Sequence, residues 1–164
     1  MTFVNMVSMF KHEFGQLSIF KDLDSHQLGL LDSMLEICSF SPQQVIFQQG
    51  QRTEFLYILL RGRVEVRFKP YDGPSLTVAR IEPGGVFGWS TALNRESYTS
   101  SAHAIEKCEA YRISGTQLQK FCAREPATGK ILLERLAGVI AERLNDTHTQ
   151  ILTILTQGLD SNCE

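Results

Sequence analysis

From about Ser39 to Ser114 the helical period gives way to short stretches of strand character separated by turn signals. That pattern rules out a helical bundle as the centre of the fold. In VIFQQGQRTEFLYILLRGRVEVRF, Val64, Val66 and Phe68 alternate with Arg63, Glu65 and Arg67, as in a strand with one wet face. Gly50 and Gly62 punctuate the run, and Asp72-Gly73 in KPYDGPS marks a hairpin turn before a strand at SLTVARI. EPGG, Glu82 to Gly85, is a further turn, and SAHAIEKCEAYRIS returns to strand character. Short strands this closely spaced imply an antiparallel barrel or sandwich, interrupted only by a short helix expected at Trp89 to Leu93.

Helices flank the strands. LSIFKDLDSHQLGLLDSMLE, residues 17 to 36, sets Leu28, Leu31 and Leu35 on one helical face, with Ser25 as the expected cap. Ser114 is placed to cap GTQLQKFCARE, whose Leu118, Phe121 and Cys122 would pack on the barrel. Pro126 suits the first turn of a longer helix reaching to about Gln157, around 48 Å at about 1.5 Å per residue. Leu133, Ala137, Ile140, Leu144, Thr147, Ile151 and Ile154 repeat with alternating steps of four and three, the seam of a two-stranded coiled coil. Leu132, Leu136 and Leu155 form a second apolar edge, so the helix either pairs with a second copy or lies wholly on its own barrel. A helix of this length would overhang so small a barrel, which favours a homodimer. The 164 residues thus read as one domain: helix, strands and short helix over about 17–124, then the long helix over about 126–157.

Composition excludes several classes. The formal net charge is −2, which gives no bulk electrostatic reason to expect DNA, RNA or an acidic membrane as partner. No segment approaches the roughly 18 apolar residues of a membrane span, and no leader pattern opens the sequence, so a soluble cytoplasmic protein is expected. Cys38, Cys108, Cys122 and Cys163 show no CxxC pair and read as reduced thiols, with Cys38 and Cys108 as small core residues. His12, His26, His103 and His148 are dispersed and lack metal spacing, so no metal or cofactor is expected. Nothing has the order of a hydrolytic triad or nucleophile elbow, and an enzyme is not expected.

The stretch GGVFGWSTALNRESYTSSAHA, Gly84 to Ala104, carries the chemistry. A glycine-rich turn entering a short helix exposes backbone N–H groups that attract phosphate, and Ser90 and Thr91 add hydroxyl donors. Gly84, Gly85 and Gly88 would allow close approach of a ligand, or they serve only tight turns between strands.

Taken with IFKDLDSHQLGLL, VIFQQGQRTEFLYILLRGRVEV, CEAYRIS and the AERL of the long helix, GGVFGWSTAL resembles the phosphate-binding cassette of the cyclic-nucleotide-binding domains of the catabolite activator protein family. The resemblance covers nearly the whole chain. It implies a mainly β double-stranded β-helix, or jelly roll, with an N-terminal helix and a long C-terminal dimerisation helix. It also implies a cyclic nucleotide such as cAMP or cGMP as ligand, with Gly88, Trp89, Ser90, Thr91, Arg95, Tyr98 and Thr99 as cassette contacts. Thr147 aligns with a family threonine that reaches the adenine across the dimer, followed here by His148 where the family has serine.

Two positions depart from the pattern. Trp89 stands where the family has the glutamate that holds the ribose, and Tyr98 where it has the arginine that pairs the phosphate. At roughly 1.5–3 kcal/mol for each lost charge-assisted bond, binding would weaken by about two to four orders of magnitude. Arg95 either swings in to pair a phosphate or is a solvated loop charge; Trp89 either stacks on a base or plugs the pocket. The expected function is a non-enzymatic regulatory sensor that binds a cyclic nucleotide weakly, or another small anion, and signals through its dimer helix. The alternatives are a ligand-free interaction scaffold or the sensor half of a truncated transcription regulator. No winged helix-turn-helix follows the long helix, so a chain complete at Glu164 would not itself bind DNA.

Overall fold

The computed structural model describes residues 17–160, with side chains described as far as residue 146 and at 149 and 152 beyond it. Eight strands follow one another: β1 (Glu36–Phe40), β2 (Val45–Phe47), β3 (Phe55–Arg61), β4 (Val64–Phe68), β5 (Leu76–Ile81), β6 (Val86–Phe87), β7 (Ser101–Ala104) and β8 (Cys108–Ser114). They form two four-stranded antiparallel sheets, ordered β1-β8-β3-β6 and β2-β7-β4-β5, that close into the expected jelly roll.

β3 is buried on both faces, which is why FLYILL reads as an unbroken apolar run. Leu56 and Ile58, opposite Ile113 and Tyr111 of β8, pack towards the helices. Tyr57 and Leu59 point into the roll with Phe47, Val64, Phe87 and Ala102. The alternation read at β4 pairs Val64 with Ala104 and Val66 with Ala102, so its apolar positions line the interior. Gly62 makes the sharp link between β3 and β4. Its φ is +88°, and a Cβ there would lie 2.5 Å from the Lys107 carbonyl oxygen and 2.7 Å from Cys108 Sγ, so no side chain fits.

Three helices cover the β1-containing sheet. A 3₁₀ turn at Ser18–Phe20 precedes α1 (Ser25–Asp32); α2 (Gly115–Arg124) and α3 (Pro126–Asp160) follow the roll. The helix read within 17–36 is the short α1, separated from the 3₁₀ turn by Asp22 at φ +68° and ended before residues 36–40, which β1 claims. Its cap is Asp24 and not Ser25: the Asp24 carboxylate accepts from Gln27 N at 2.7 Å, and Gln27 Oε1 accepts from Asp24 N at 3.0 Å. This reciprocal capping box needs a Gln or Glu three residues on, which Asp24 has and Ser25 lacks. Ser114 does cap α2, accepting from Gln117 N, and Leu118 and Phe121 are buried.

α3 begins at Pro126 and buries Leu132 and Leu136 against the 3₁₀ turn and α2, while Arg135 pairs with Asp22 at 3.0 Å. The opposite edge is left open, with Leu133 41 % and Leu144 60 % exposed. Ala137 is exposed too, and Ile140 lies half-buried between the two edges. The side chains of Thr147, His148, Ile151, Ile154 and Leu155 lie outside the described set.

The helix expected at Trp89–Leu93 is absent. Residues 89–94 make successive turns with one helical bond, Leu93 N to Trp89 O, before Asn94 reverses the chain at φ +55°. Without a helix there is no macrodipole to draw a phosphate to the cassette.

Candidate functional site

The segment linking β6 to β7 carries Tyr98, whose side chain is buried in the core of the roll with Phe47, Tyr57 and Phe87. The ring is 3 % exposed and stacks on Phe47 with centroids 3.8 Å apart and planes 14° apart. Phe47 in turn lies near Tyr57 and Phe87, whose rings stack at 5.0 Å, so the interior is a continuous aromatic column. The Tyr98 hydroxyl donates to the Phe55 carbonyl at 2.8 Å and accepts from the N–H of Phe55 at 3.0 Å and of Glu54 at 3.3 Å. Main-chain bonds fasten the same residue on both sides: Tyr98 N donates to Gln51 O and Tyr98 O accepts from Gly50 N. A side chain one phenol long thus ties the 47–55 segment to the cassette.

Beside the Tyr98 ring lies a cavity of about 10 Å³ bordered by Phe47, Val66, Gly88, Trp89 and Tyr98. That is room for one water, against the roughly 300 Å³ or more of a small-molecule site. The remaining cassette groups are similarly committed. Thr91 Oγ1 donates to the Phe55 carbonyl at 3.0 Å, and Ser90 is buried. Gly88, at φ +75°, is needed for packing: a Cβ would meet the Phe55 carbonyl oxygen at 2.9 Å and the Tyr57 ring at 3.1 Å. Thr99 is exposed at the rim.

Trp89 does not fill the roll. It is half-buried at the border between cassette and long helix, under Arg143 of α3, whose guanidinium carbon sits 5.3 Å from the ring centroid. Arg143 Nη2 also donates to the carbonyl of Val86 in β6 at 2.6 Å, and burial lowers its pKa. One side chain therefore links α3 to the strand that enters the cassette. Sequence reasoning quoted AERL but passed over Arg143. The available signal was its position: from Leu132, Leu136 and Ile140 the next step along the roll-facing edge lands on Arg143, a charge where an apolar residue is expected.

Arg95 points away from the roll. Its side chain lines an outer cleft between the 50–55 and 91–97 segments and α2. The structure thus brings Gly88, Trp89, Ser90, Tyr98 and Thr99 together around the small cavity at the roll mouth, leaves Thr91 and Arg95 on the outer cleft, and places Thr147 and His148 on α3 with side chains outside the described set.

Thiol chemistry is muted. Cys108 is buried, and burial raises the Cys38 thiol to about 11 and those of Cys108 and Cys122 above their ordinary value, which disfavours the reactive thiolate. Among the described residues no three His, Cys, Asp or Glu side chains gather at metal distance, and no helix is long and apolar enough to cross a membrane.

With this geometry in view, residues 37–125 match the cyclic nucleotide-binding domain family, and the chain belongs to it. Among its relatives is the CRP-like cAMP-activated global transcriptional regulator of Mycobacterium tuberculosis, 24% identical over 141 residues, covering 86% of this chain and 61% of the relative. This chain therefore spans about three fifths of that regulator's length. Solved structures agree. A putative cyclic nucleotide-binding protein from Geobacter metallireducens superposes with a TM-score of 0.72 at 28% identity, covering 82% of this chain and 97% of that one. A cyclic nucleotide-binding domain from Methylobacillus flagellatus shares the fold at a TM-score of 0.82 and 19% identity, over 88% and 84% of the two chains.

Proposed function

We propose that this chain is a non-enzymatic regulatory module of the cyclic nucleotide-binding family whose roll is closed on its own tyrosine, and whose output is the pairing of α3 with α3 of a second copy. The carrying observation is the buried Tyr98, whose hydroxyl is bound to the Phe55 backbone beside a cavity of only about 10 Å³.

Energetics favour this over a weak nucleotide sensor. To admit a ligand, Tyr98 must leave three hydrogen bonds, worth about 1 kcal/mol each, and a buried ring, worth about 2 kcal/mol. An opening cost of roughly 5 kcal/mol leaves only about one molecule in several thousand competent, and apparent affinity falls by that factor. The missing glutamate and arginine add their own loss.

The open edge of α3 supports the pairing. Leu133, Ala137 and Leu144 follow the coiled-coil spacing and are exposed in the single chain. Arg143, bound to Val86 and Trp89, fixes the same helix to the cassette, so α3 is held in place without a ligand.

Sedimentation of the purified chain at micromolar concentration, with and without millimolar cAMP or cGMP, tests the reading. A dimer of unchanged mass in all three conditions is expected. A monomer would remove the pairing, and a dimer that forms only with nucleotide would restore the sensor.

A further inference from the structure

The outer cleft has a volume of about 930 Å³ and shares no lining residue with the cavity at the roll mouth. Arg52 and Glu54 stand on one wall, Arg95 and Glu96 on the other, and Gln119 of α2 closes the end. The two walls are tied to each other. Arg52 bridges to Ser97, Thr53 N donates to Glu96 O at 3.0 Å, and Thr53 Oγ1 donates to Arg95 O at 2.5 Å. Gln119 Nε2 donates to Asn94 Oδ1 at 2.8 Å, so the end wall is fixed as well.

The charges in this cleft behave unlike those elsewhere on the roll. Arg61, Arg63, Arg67, Arg80 and Arg112 each have a glutamate within 4.0 Å. Among the described residues Arg52 and Arg95 have none, and neither guanidinium has a hydrogen bond, although Glu54 and Glu96 border the same space with no ion-pair partner for their carboxylates. Two guanidinium forks and two carboxylates therefore share one concave site without neutralising one another. The start of α2 adds nothing, since Gly115 N already donates to Glu54 O and Ser114 accepts from Gln117.

We propose that this cleft binds a phosphorylated polyol of sugar-phosphate size, with its phosphate held between Arg52 and Arg95 and its hydroxyls donating to Glu54 and Glu96. Guanidinium forks match phosphate oxygens bidentately, and carboxylates accept from vicinal hydroxyls. The volume lies within the range of small-molecule sites, which the roll interior does not.

Calorimetric titration of the whole chain with ribose 5-phosphate, inorganic phosphate and ribose tests this. Ribose 5-phosphate is expected to give saturable heat, weakened roughly tenfold or more by Arg52→Ala or by Arg95→Ala. Glu54→Gln with Glu96→Gln should weaken ribose 5-phosphate and leave inorganic phosphate unchanged. All these side chains are on the cleft surface, so the variants should retain the wild-type melting profile, which is checked alongside. No saturable heat with ribose 5-phosphate, heat indifferent to both arginine substitutions, or inorganic phosphate binding as tightly as ribose 5-phosphate would each overturn the proposal. None of those outcomes bears on the closed roll, which rests on Tyr98.

Discussion

Tyr98→Ala is expected to destabilise the domain by about 3–5 kcal/mol, lowering its melting temperature by roughly 6–20 °C. The substitution empties the stack on Phe47 and leaves the N–H groups of Glu54 and Phe55 without their acceptor. Tyr98→Phe separates the two contributions. It keeps the ring and removes only the hydroxyl, so it should cost about 1–3 kcal/mol, the penalty for buried amides deprived of a partner. Thr91 still donates to the Phe55 carbonyl in that variant, so the acceptor side is partly preserved. Denaturant titrations of the three proteins measure both steps. Were Tyr98→Ala to fall within about 1 kcal/mol of wild type, the side chain would not be a structural plug and the closed roll would lose its main support.

The second large effect concerns association. If the copies pair through α3 as proposed, Leu133→Glu combined with Leu144→Glu should leave a monomer that is still folded. Both leucines are already exposed in the single chain, at 41 % and 60 %, so the roll does not depend on them. Pairing two helices would bury four such side chains, at about 1.5–3 kcal/mol for each one fully removed from water, and the substitutions set like charges against each other. A rise in the dissociation constant of at least about three orders of magnitude follows. Sedimentation equilibrium reads the mass, and a double variant that remains dimeric would show that the copies meet elsewhere.

Much of the fold was legible in the residues because its signals are local. Alternation at Val64 to Phe68, the Asp72-Gly73 turn, the Ser114 cap and Pro126 each reflect chemistry within a few positions, and each element lies where that chemistry puts it. The Asp24 cap was equally readable, since only Asp24 has Gln27 three residues on; two adjacent capping residues obscured it. Trp89 to Leu93 read as a helix because nothing local forbids one, and the competing bonds, such as Thr91 to Phe55, come from 36 residues away.

The site was legible in composition but not in direction. The family resemblance implies a tyrosine, Tyr98, at the position of a phosphate-binding arginine. It does not show that the phenol reaches the Phe55 backbone, because that contact joins segments 43 residues apart. Trp89 was read as either a stacking platform or a plug, yet the indole lies under Arg143 and it is the Tyr98 phenol that lies within. Arg95 shares a loop with Tyr98 but faces the opposite way, into the outer cleft. Which way a loop side chain turns is decided by what the rest of the fold leaves free, and only the assembled roll contains that information.

The most direct test of the closed roll is to follow the ring proton resonances of Tyr98 while the chain is titrated with cAMP. Stacking on Phe47 at 3.8 Å should hold those signals away from the positions of a free tyrosine. They are predicted to stay there, unmoved, to millimolar cAMP. A saturable return of the signals towards free-tyrosine positions would mean that the ring yields its place to the nucleotide, and the roll would then be a working sensor.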